Sequence, residues 1–421
     1  MNKRTFYPEQ LNLRLFDGNI NTNVTTDSGL SVEMKVFYSD YLIDNAVPKL
    51  VHDQFGQKKP IPQGKGKTVE FRKYSPLPKA LKPLTEGVTP DGNKLNVTNL
   101  TATVQQFGDY IALSDILLMT AIDNNLVEAT KILGNQAGAT LDTITREVIN
   151  AGTNKICGAR ERAARYLLVG GDATPTNNDY LSVLVLKKGV RWLKAQNTQK
   201  IDGYYIGIAN PDTLFDLMCD PEWISANQYA GSRKIFEGEV GEIAGVRFVE
   251  TTEAKVFAAD NLTAAARNLT IKTAPSASTT VAVNELITAA DALALPNRKV
   301  LINNAQYEIA SATAGAAGAA VITLKTAVTA AVNAVIYPGE AGSQGRSVYS
   351  TLLLGDNAYG VTEIEGGGLK HIVKQLGSAG TSDPLDQRAT VGWKATKTAE
   401  ILVDAYMVRI ETASTFAGTG N

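Results

Sequence analysis

The amino-acid sequence predicts an α+β fold with a projecting arm, and three observations predict it. The segment Thr68–Tyr74 and the run from Leu95 through Val97, Ala102 and Val104 to Phe107 both alternate apolar and polar residues, on either side of a proline-studded tip from Ser75 to Gly92. A helical periodicity then extends from Ser114 to Gly152. Between residues 258 and 341 the composition turns to Ala, Thr, Val and Asn, without Phe, Trp, His or Cys, in short alternating runs divided by small-residue turns.

Taken in order, residues 1–55 read as an N-terminal arm and a helix. The first 30 are rich in Asn and Thr, and Met34, Phe37, Tyr38, Tyr41, Leu42 and Ala46 then recur at helical spacing until Pro48. Residues 56–113 form an extended β-hairpin loop with no core of its own. An isolated hairpin is marginal in water, so the loop must lie on another surface, and a neighbouring subunit is the nearest. Residues 114–152 form a spine helix capped by Ser114 with Asp115 in its first turn, roughly 50 Å long at 1.5 Å per residue. Within it, Gly134 and Gly138 either admit a close backbone or, at Gly134, mark a kink.

Residues 153–257 alternate as one compact domain. Asp179 is expected to cap a helix carrying Leu181, Leu184, Val185, Val190, Trp192 and Leu193; Tyr204–Ala209 is an apolar strand; Asn210-Pro211 opens a short helix ending at Asp220-Pro221. Residues 258–341 read as an inserted β-barrel or sandwich, with strands at 269–272, 299–303, 307–310, 320–324 and 334–337. Residues 342–421 resume the mixed patterning of residues 153–257, with strands at Val348–Gly355 and Ile401–Ile410 expected to pack back on the spine helix.

Composition narrows the function. The chain has 421 residues, 44% hydrophobic and 20% charged, as ordinary folded proteins do. Its 41 Lys and Arg nearly balance 42 Asp and Glu, so a net charge of -1 gives no global attraction to nucleic acid or to anionic membrane. Cys157 and Cys219 have neither metal nor disulfide spacing. Met1–Pro8 holds no signal-peptide run, and no stretch of about 18 apolar residues occurs, so no membrane association is expected and the product stays in the cytoplasm where it is made.

The chemistry-bearing patterns are incomplete. Gly64-Lys65-Gly66-Lys67-Thr68 ends like a phosphate loop, but Ile61 stands where its first glycine belongs and a strand follows. Gly238-Glu239-Val240-Gly241 with Gly245 places two acidic side chains where a pyrophosphate would sit, so a turn before Val246–Glu250 is expected. His52 and His371 belong to no cluster, Ser378 misses the nucleophile-elbow pattern, and Glu363 with Glu365 is an ordinary carboxylate pair. No catalytic residue, cofactor or metal site is expected, and the chain reads as a structural protein, not an enzyme.

Several strings, in order, resemble the major capsid proteins of tailed bacteriophages: Leu84-Thr85-Glu86-Gly87-Val88-Thr89-Pro90; Phe107-Gly108 with Leu113-Ser114-Asp115; Leu141-Asp142; Trp223; Gly245–Thr251; Asp383-Pro384-Leu385-Asp386-Gln387-Arg388; and Gly392-Trp393-Lys394. The likeness is to the Hong Kong-type capsid fold, in its podovirus N-four-like branch, over most of residues 30–257 and 346–421. The resemblance implies that 56–113 is the extended loop, 114–152 with the C-terminal strands the peripheral domain, and 153–360 the axial domain carrying the insert. It further implies hexamers and pentamers of this chain in an icosahedral shell around double-stranded DNA, held without sequence-specific binding. The expected location is the virion, after assembly in the host cytoplasm, with a separate scaffold, a portal and decoration proteins as partners. Pro76, Pro78, Glu86 and Asp91 at the loop tip, and Asp383, Arg388 and Trp393 near the end, are the candidate inter-subunit or core-pinning residues. The competing readings are an encapsulin-like cage shell and a glycan-binding surface protein acting through the insert.

Overall fold

The computed structural model describes residues 22–23, 50–60, 67–74, 77, 79–81, 83, 86–87, 92–120, 125–171, 177–230, 242–362, 369–378, 383–418 and 420. The expected helix of residues 29–48, nearly all of the N-terminal arm, and Pro76, Pro78 and Asp91 lie outside the described residues.

A seven-stranded sheet forms the centre, with Lys155–Cys157, Met407–Thr412, Val348–Leu354, Tyr205–Ala209, Val246–Glu250 and Glu242–Ile243 side by side and Val256–Phe257 branching from Val348–Leu354. Tyr205–Ala209 and Val348–Leu354 are buried at every position, which explains their unbroken apolar runs: both faces are covered. On one face the helix Val183–Ala195 seats Val185, Leu186, Val190 and Leu193 against Tyr205, Leu353, Val408 and Ile410. On the other, Ile206, Ile208, Leu352 and Leu354 meet Ile149, Tyr359, Val361 and Ala399.

Asp179 does not cap that helix. Its N-cap is Ser182, and the Val183 N–H donates to Asp220 Oδ2 at 2.9 Å. Asp179 is instead buried beside Arg162 and accepts from the Val169 N–H, because the helix starts three residues later than the sequence pattern indicates. Asn210 does cap the helix Pro211–Met218, accepting from the Asp212 N–H at 3.0 Å. Near the end of the chain, the expected strand Ile401–Ile410 is divided. Ala399–Ile401 pairs with Tyr359–Thr362, a 3-10 turn occupies Asp404–Tyr406, and the buried strand of the central sheet begins at Met407.

The spine is the 26-residue helix Asn125–Asn150, about 40 Å long. It is continuous through Gly134 and Gly138. A separate short helix, Asp115–Thr120, precedes it; there Ser114 Oγ accepts from the Leu117 N–H at 3.3 Å and Asp115 Oδ1 from the Ile116 N–H at 2.7 Å. Leu133, Ala137 and Leu141, spaced four apart, press onto a four-stranded sheet ordered Thr22–Asn23, Gln105–Ser114, Arg388–Lys397, Leu369–Lys374. Strands Gln105–Ser114 and Arg388–Lys397 pair over ten residues each, which brings Trp393 and Ala395 under the spine.

The loop strands Thr68–Tyr74 and Val97–Thr103 pair antiparallel in unbroken register. At Val104, whose N–H donates to the Lys67 carbonyl at 2.8 Å, the chain leaves the ribbon and Gln105–Ser114 enters the four-stranded sheet. The second arm therefore ends at Thr103 and not at Phe107; across Gln105-Gln106 the inward apolar positions shift by one, from Leu100, Ala102 and Val104 to Phe107, Ile111 and Leu113, as the strand changes partner. Nor is the ribbon coreless. Val69, Phe71 and Ala102 are buried at its root with Leu402 packed against them, whereas Leu77, Leu81, Leu95 and Val97 farther out are exposed.

Residues 269–338 form a six-stranded sheet ordered Leu269–Thr270, Val335–Pro338, Lys299–Ile302, Ala305–Thr313, Val321–Val328, Ser278–Ala282. The Ile271↔Val283 bridge joins its first and last strands, so the sheet closes on itself. Ile271, Val283, Val300, Ile302, Ile309, Ile322 and Ile336 fill the interior. The strand Ser278–Ala282 and the helix Ala289–Ala294, capped reciprocally by Thr288 and Asp291, escape the sequence pattern because both are short and rich in small residues. The chain enters this barrel just after Val256–Phe257 and returns just before Val348, and those flanks pair as Phe257↔Val348. Replacing residues 260–344 by a short Gly/Ser linker is therefore expected to leave the central sheet folded. Chemical unfolding should show a loss of no more than about 1–2 kcal/mol, the order of the polar contacts that Arg267 makes to the Gly345 carbonyl and the Ser343 N–H to the Leu168 carbonyl. Failure of the shortened chain to fold would show a shared core.

Candidate functional site: loop root and pinning clusters

Among the described residues, several clusters fix where the projecting loop leaves the body. Among the sequence candidates, Glu86 lies exposed in a turn with Gly87, whose φ of 76° a side chain would strain. Asp383 and Arg388 are brought together. The buried Asp383 carboxylate accepts from the Arg388 N–H at 2.8 Å, with the guanidinium Nε at 3.7 Å, and so closes the turn that presents Leu385 to solvent at the start of the long strand. Trp393 is buried under the spine, and its indole N–H donates to Gln136 Oε1 at 3.3 Å. These three residues are thus held within one chain, apart from the loop tip.

The sequence does not reveal the strongest cluster, which lies at the loop's root. Just before the loop, His52 and Asp53 are buried against the spine. Asp142 receives the His52 backbone N–H at 2.7 Å and lies 2.6 Å from His52 Nδ1; Thr145 Oγ1 donates to Asp53 Oδ1 at 2.5 Å. The Lys397 ammonium contacts Asp53 Oδ2, and the Tyr359 hydroxyl donates to the His52 carbonyl. Lys397 is 1% exposed; burial drives its pKa down from the ordinary lysine value, with the Asp53 and Asp142 carboxylates opposing. Gly56 touches the Tyr359 ring, where an added Cβ would come within 2.6 Å, and a Cβ on Gly360 would strike Phe71. The partners are 90 and 344 residues apart, so no local spacing announces them. The only sequence signal is the Leu141-Asp142 pair, in which a carboxylate interrupts an apolar helix face.

A second cluster ties the end of the spine to the central sheet. Glu411, fully buried, accepts from Arg165 Nη2 at 2.6 Å, Arg165 Nε at 3.0 Å and Arg409 Nε at 2.8 Å, while Arg409 also donates to the carbonyls of Asn150 and Gly152. Burial alone would push the Glu411 carboxyl up, but the Arg165 hydrogen bond and the charges of Arg165 and Arg409 outweigh it and hold the carboxyl below its ordinary value. Beside it, burial and the Glu411 charge push the Cys157 thiol up to about 11, which keeps it protonated and unreactive at neutral pH.

The other motifs resolve as ordinary structure. Ala244 and Gly245, both at positive φ, make the two-residue turn joining Glu242–Ile243 to Val246–Glu250, and Ser378 donates to the Gln375 carbonyl within a turn. Gly64–Gly66, Gly238–Gly241 and the Glu363/Glu365 pair lie outside the described residues. Among the described residues no group of three His, Cys, Asp or Glu is placed to hold a metal ion, and no helix is long and apolar enough to cross a membrane.

Residues 183–352, from the helix on the central sheet through the barrel into strand Val348–Leu354, match the model of the family described as phage capsid protein. Among solved structures, the capsid asymmetric unit of cyanophage Pam1 superposes with a TM-score of 0.51 at 13% identity, over 94% of this chain and 100% of that one. The head structure of Helicobacter pylori bacteriophage KHP40 superposes with a TM-score of 0.50 at 10% identity, over 94% and 99%. No curated protein matches the chain. These findings bear out the capsid resemblance and the fold class expected from the sequence: the chain shares the fold of these phage capsid structures, and residues 183–352 match the phage capsid protein family model.

Proposed function

We propose that this chain is the major capsid protein of a tailed phage, tiling an icosahedral shell around double-stranded DNA. The observation that carries the reading is the agreement between a capsid fold along nearly the whole chain and a capsid family signature in its middle. The loop supports it physically: its root is fastened to its own body by Phe71, while Leu77, Leu81, Leu95 and Val97 remain exposed on a two-stranded arm. Such an arm gains its missing burial from another copy. The near-zero net charge suits a wall that must not grip the DNA it encloses.

Within this reading, residues 56–103 are the extended loop. The spine with the four-stranded sheet is the peripheral domain, the central sheet the axial domain, and 258–341 an inserted barrel. Hexamers and pentamers, a separate scaffold, a portal and decoration proteins complete the particle. Expressed alone and together with the products of the genes beside its own, the chain is expected to form closed shells visible by electron microscopy. A small soluble oligomer in both preparations would overturn the proposal. Replacing Glu86 and Asp91 by Lys is expected to leave a folded subunit whose shell yield falls at least several-fold; an unchanged yield would remove the tip from the contacts.

A further inference from the structure

The geometry points to a binding site for an uncharged pyranose sugar on the outer face of the barrel, a site added to the assembly role and not an alternative to it. A cleft of about 210 Å³ opens there, with the buried Leu301 as its floor, Tyr337 half-buried beside it, and Asn303, Asn304 and Gln344 exposed around it. The barrel sheet explains how these residues meet. Val300, Ile302 and Ile336 fill the interior, so Leu301 and Tyr337, which pair across neighbouring strands, both face outward. Asn303 and Asn304 make the two-residue turn from Lys299–Ile302 into Ala305–Thr313, with φ of 50° and 60° as such a turn demands. Turn chemistry therefore accounts for the two asparagines. It does not account for Gln344, which holds φ 56° and ψ 26° on the chain's return from the barrel, a left-handed conformation that Gly or Asn adopts at less cost. A long amide residue is kept in a strained position that lines the cleft, and strain of this kind gathers where a ligand is held.

The lining selects the ligand. No charged side chain borders the cleft, so nothing there rewards a phosphate or a carboxylate. Each amide offers a donor and an acceptor in one plane, which matches neighbouring hydroxyls that also give and receive. The Asn303 amide is oriented by its Nδ2, which donates to the Thr329 carbonyl at 3.4 Å and leaves the oxygen to a ligand. Among the described residues none hydrogen-bonds to the Tyr337 hydroxyl or to the side-chain amides of Asn304 and Gln344. The Tyr337 ring and the Leu301 side chain supply the apolar surface on which the C–H face of a pyranose rests. A ligand of about a dozen heavy atoms in so small a cleft binds weakly, with a Kd on the order of 1 mM. Under the capsid reading the cleft recurs on every subunit, so a polysaccharide would gain by avidity what one sugar lacks.

The test is saturation-transfer NMR of the full-length soluble chain with the methyl glycosides of glucose, galactose, mannose and N-acetylglucosamine, and with sialic acid as the charged control. At least one neutral glycoside is expected to take up saturation, most strongly on the ring protons of one face, and sialic acid none. Tyr337→Ala and Gln344→Gly should each weaken binding about tenfold, the worth of one stacked ring or one good hydrogen bond. Gln344→Gly carries a second readout: its melting temperature should equal or exceed that of wild type, because glycine relieves the left-handed backbone, whereas a glutamine kept only for the fold would be missed. The inference is overturned if no neutral glycoside binds, if binding survives both substitutions unchanged, or if Gln344→Gly melts below wild type. Binding of sialic acid alone would overturn the uncharged class. None of these readouts needs a shell, so failure here leaves the capsid reading standing, and a subunit that never closes into shells leaves the cleft standing.

Discussion

Substituting Glu411 by Gln is expected to destabilise the subunit by about 3–5 kcal/mol, because it removes the one fully buried negative charge that answers both Arg165 and Arg409. The cost is not the loss of one contact. Arg409 remains largely buried, and it also holds the carbonyl of Asn150, the last spine residue, and that of Gly152 just beyond it, so an unbalanced guanidinium there loosens the join between spine and central sheet. Arg165 stacks 3.3 Å over the Phe257 ring and would keep that contact, which sets an upper bound on the damage. Urea unfolding of the soluble subunit measures the effect, and a loss below about 1 kcal/mol would show that the cluster is no more than a surface pair.

The same residue gives a pH dependence of definite sign. The folded carboxyl titrates below 4.5, the ordinary glutamate value, so the unfolded chain binds the proton more readily. Glu411 therefore contributes stability above pH 4.5 that disappears as the pH falls through its lower folded value. Between neutral pH and that region wild type should lose stability on acidification more steeply than Glu411→Gln, and parallel curves would contradict the assignment.

The second large effect is expected at Phe71. Its ring is fully buried at the loop root, packed on Gly360, and truncation to Ala should cost about 3–5 kcal/mol of the local stability that holds the ribbon to the body. Because Val69, Phe71 and Ala102 form a cluster separate from the central core, the loss should stay local. Hydrogen exchange of the amides in Thr68–Tyr74 and Val97–Thr103 should accelerate strongly while the central-sheet amides keep their protection, and shell yield should fall. Unchanged exchange in the ribbon would mean that other contacts carry the root.

The elements legible in the sequence were those whose period persists. The ribbon strands, the spine and most barrel strands each repeat one spacing long enough to be read, and the capsid resemblance supplied their arrangement. What stayed hidden was pairing. Gln105-Gln106 shifts the apolar phase of the loop strand by one residue, but which sheet the chain then joins is shown by the structure alone. Asp179 has the composition of a cap but sits three residues early, and Ser182 takes that place while Asp179 answers Arg162. The clusters around Asp53 and Glu411 unite residues hundreds of positions apart, and a lone Lys or Glu within a strand looks solvated until its partners are in place. Trp393, Asp383 and Arg388 were legible as inter-subunit or core-pinning candidates, and within the chain Trp393 meets Gln136 and Asp383 meets Arg388.

The barrel departs from and rejoins the body on adjacent rungs of a single ladder, Phe257 opposite Val348. Whatever lies between two such fixed points can grow, shrink or be exchanged with little entropic penalty, since closing a longer excursion adds only about 0.6 kcal/mol per doubling. The position is thus a ready-made socket: a foreign domain with neighbouring termini, grafted there, would leave the Phe257–Val348 pairing of the central sheet in place.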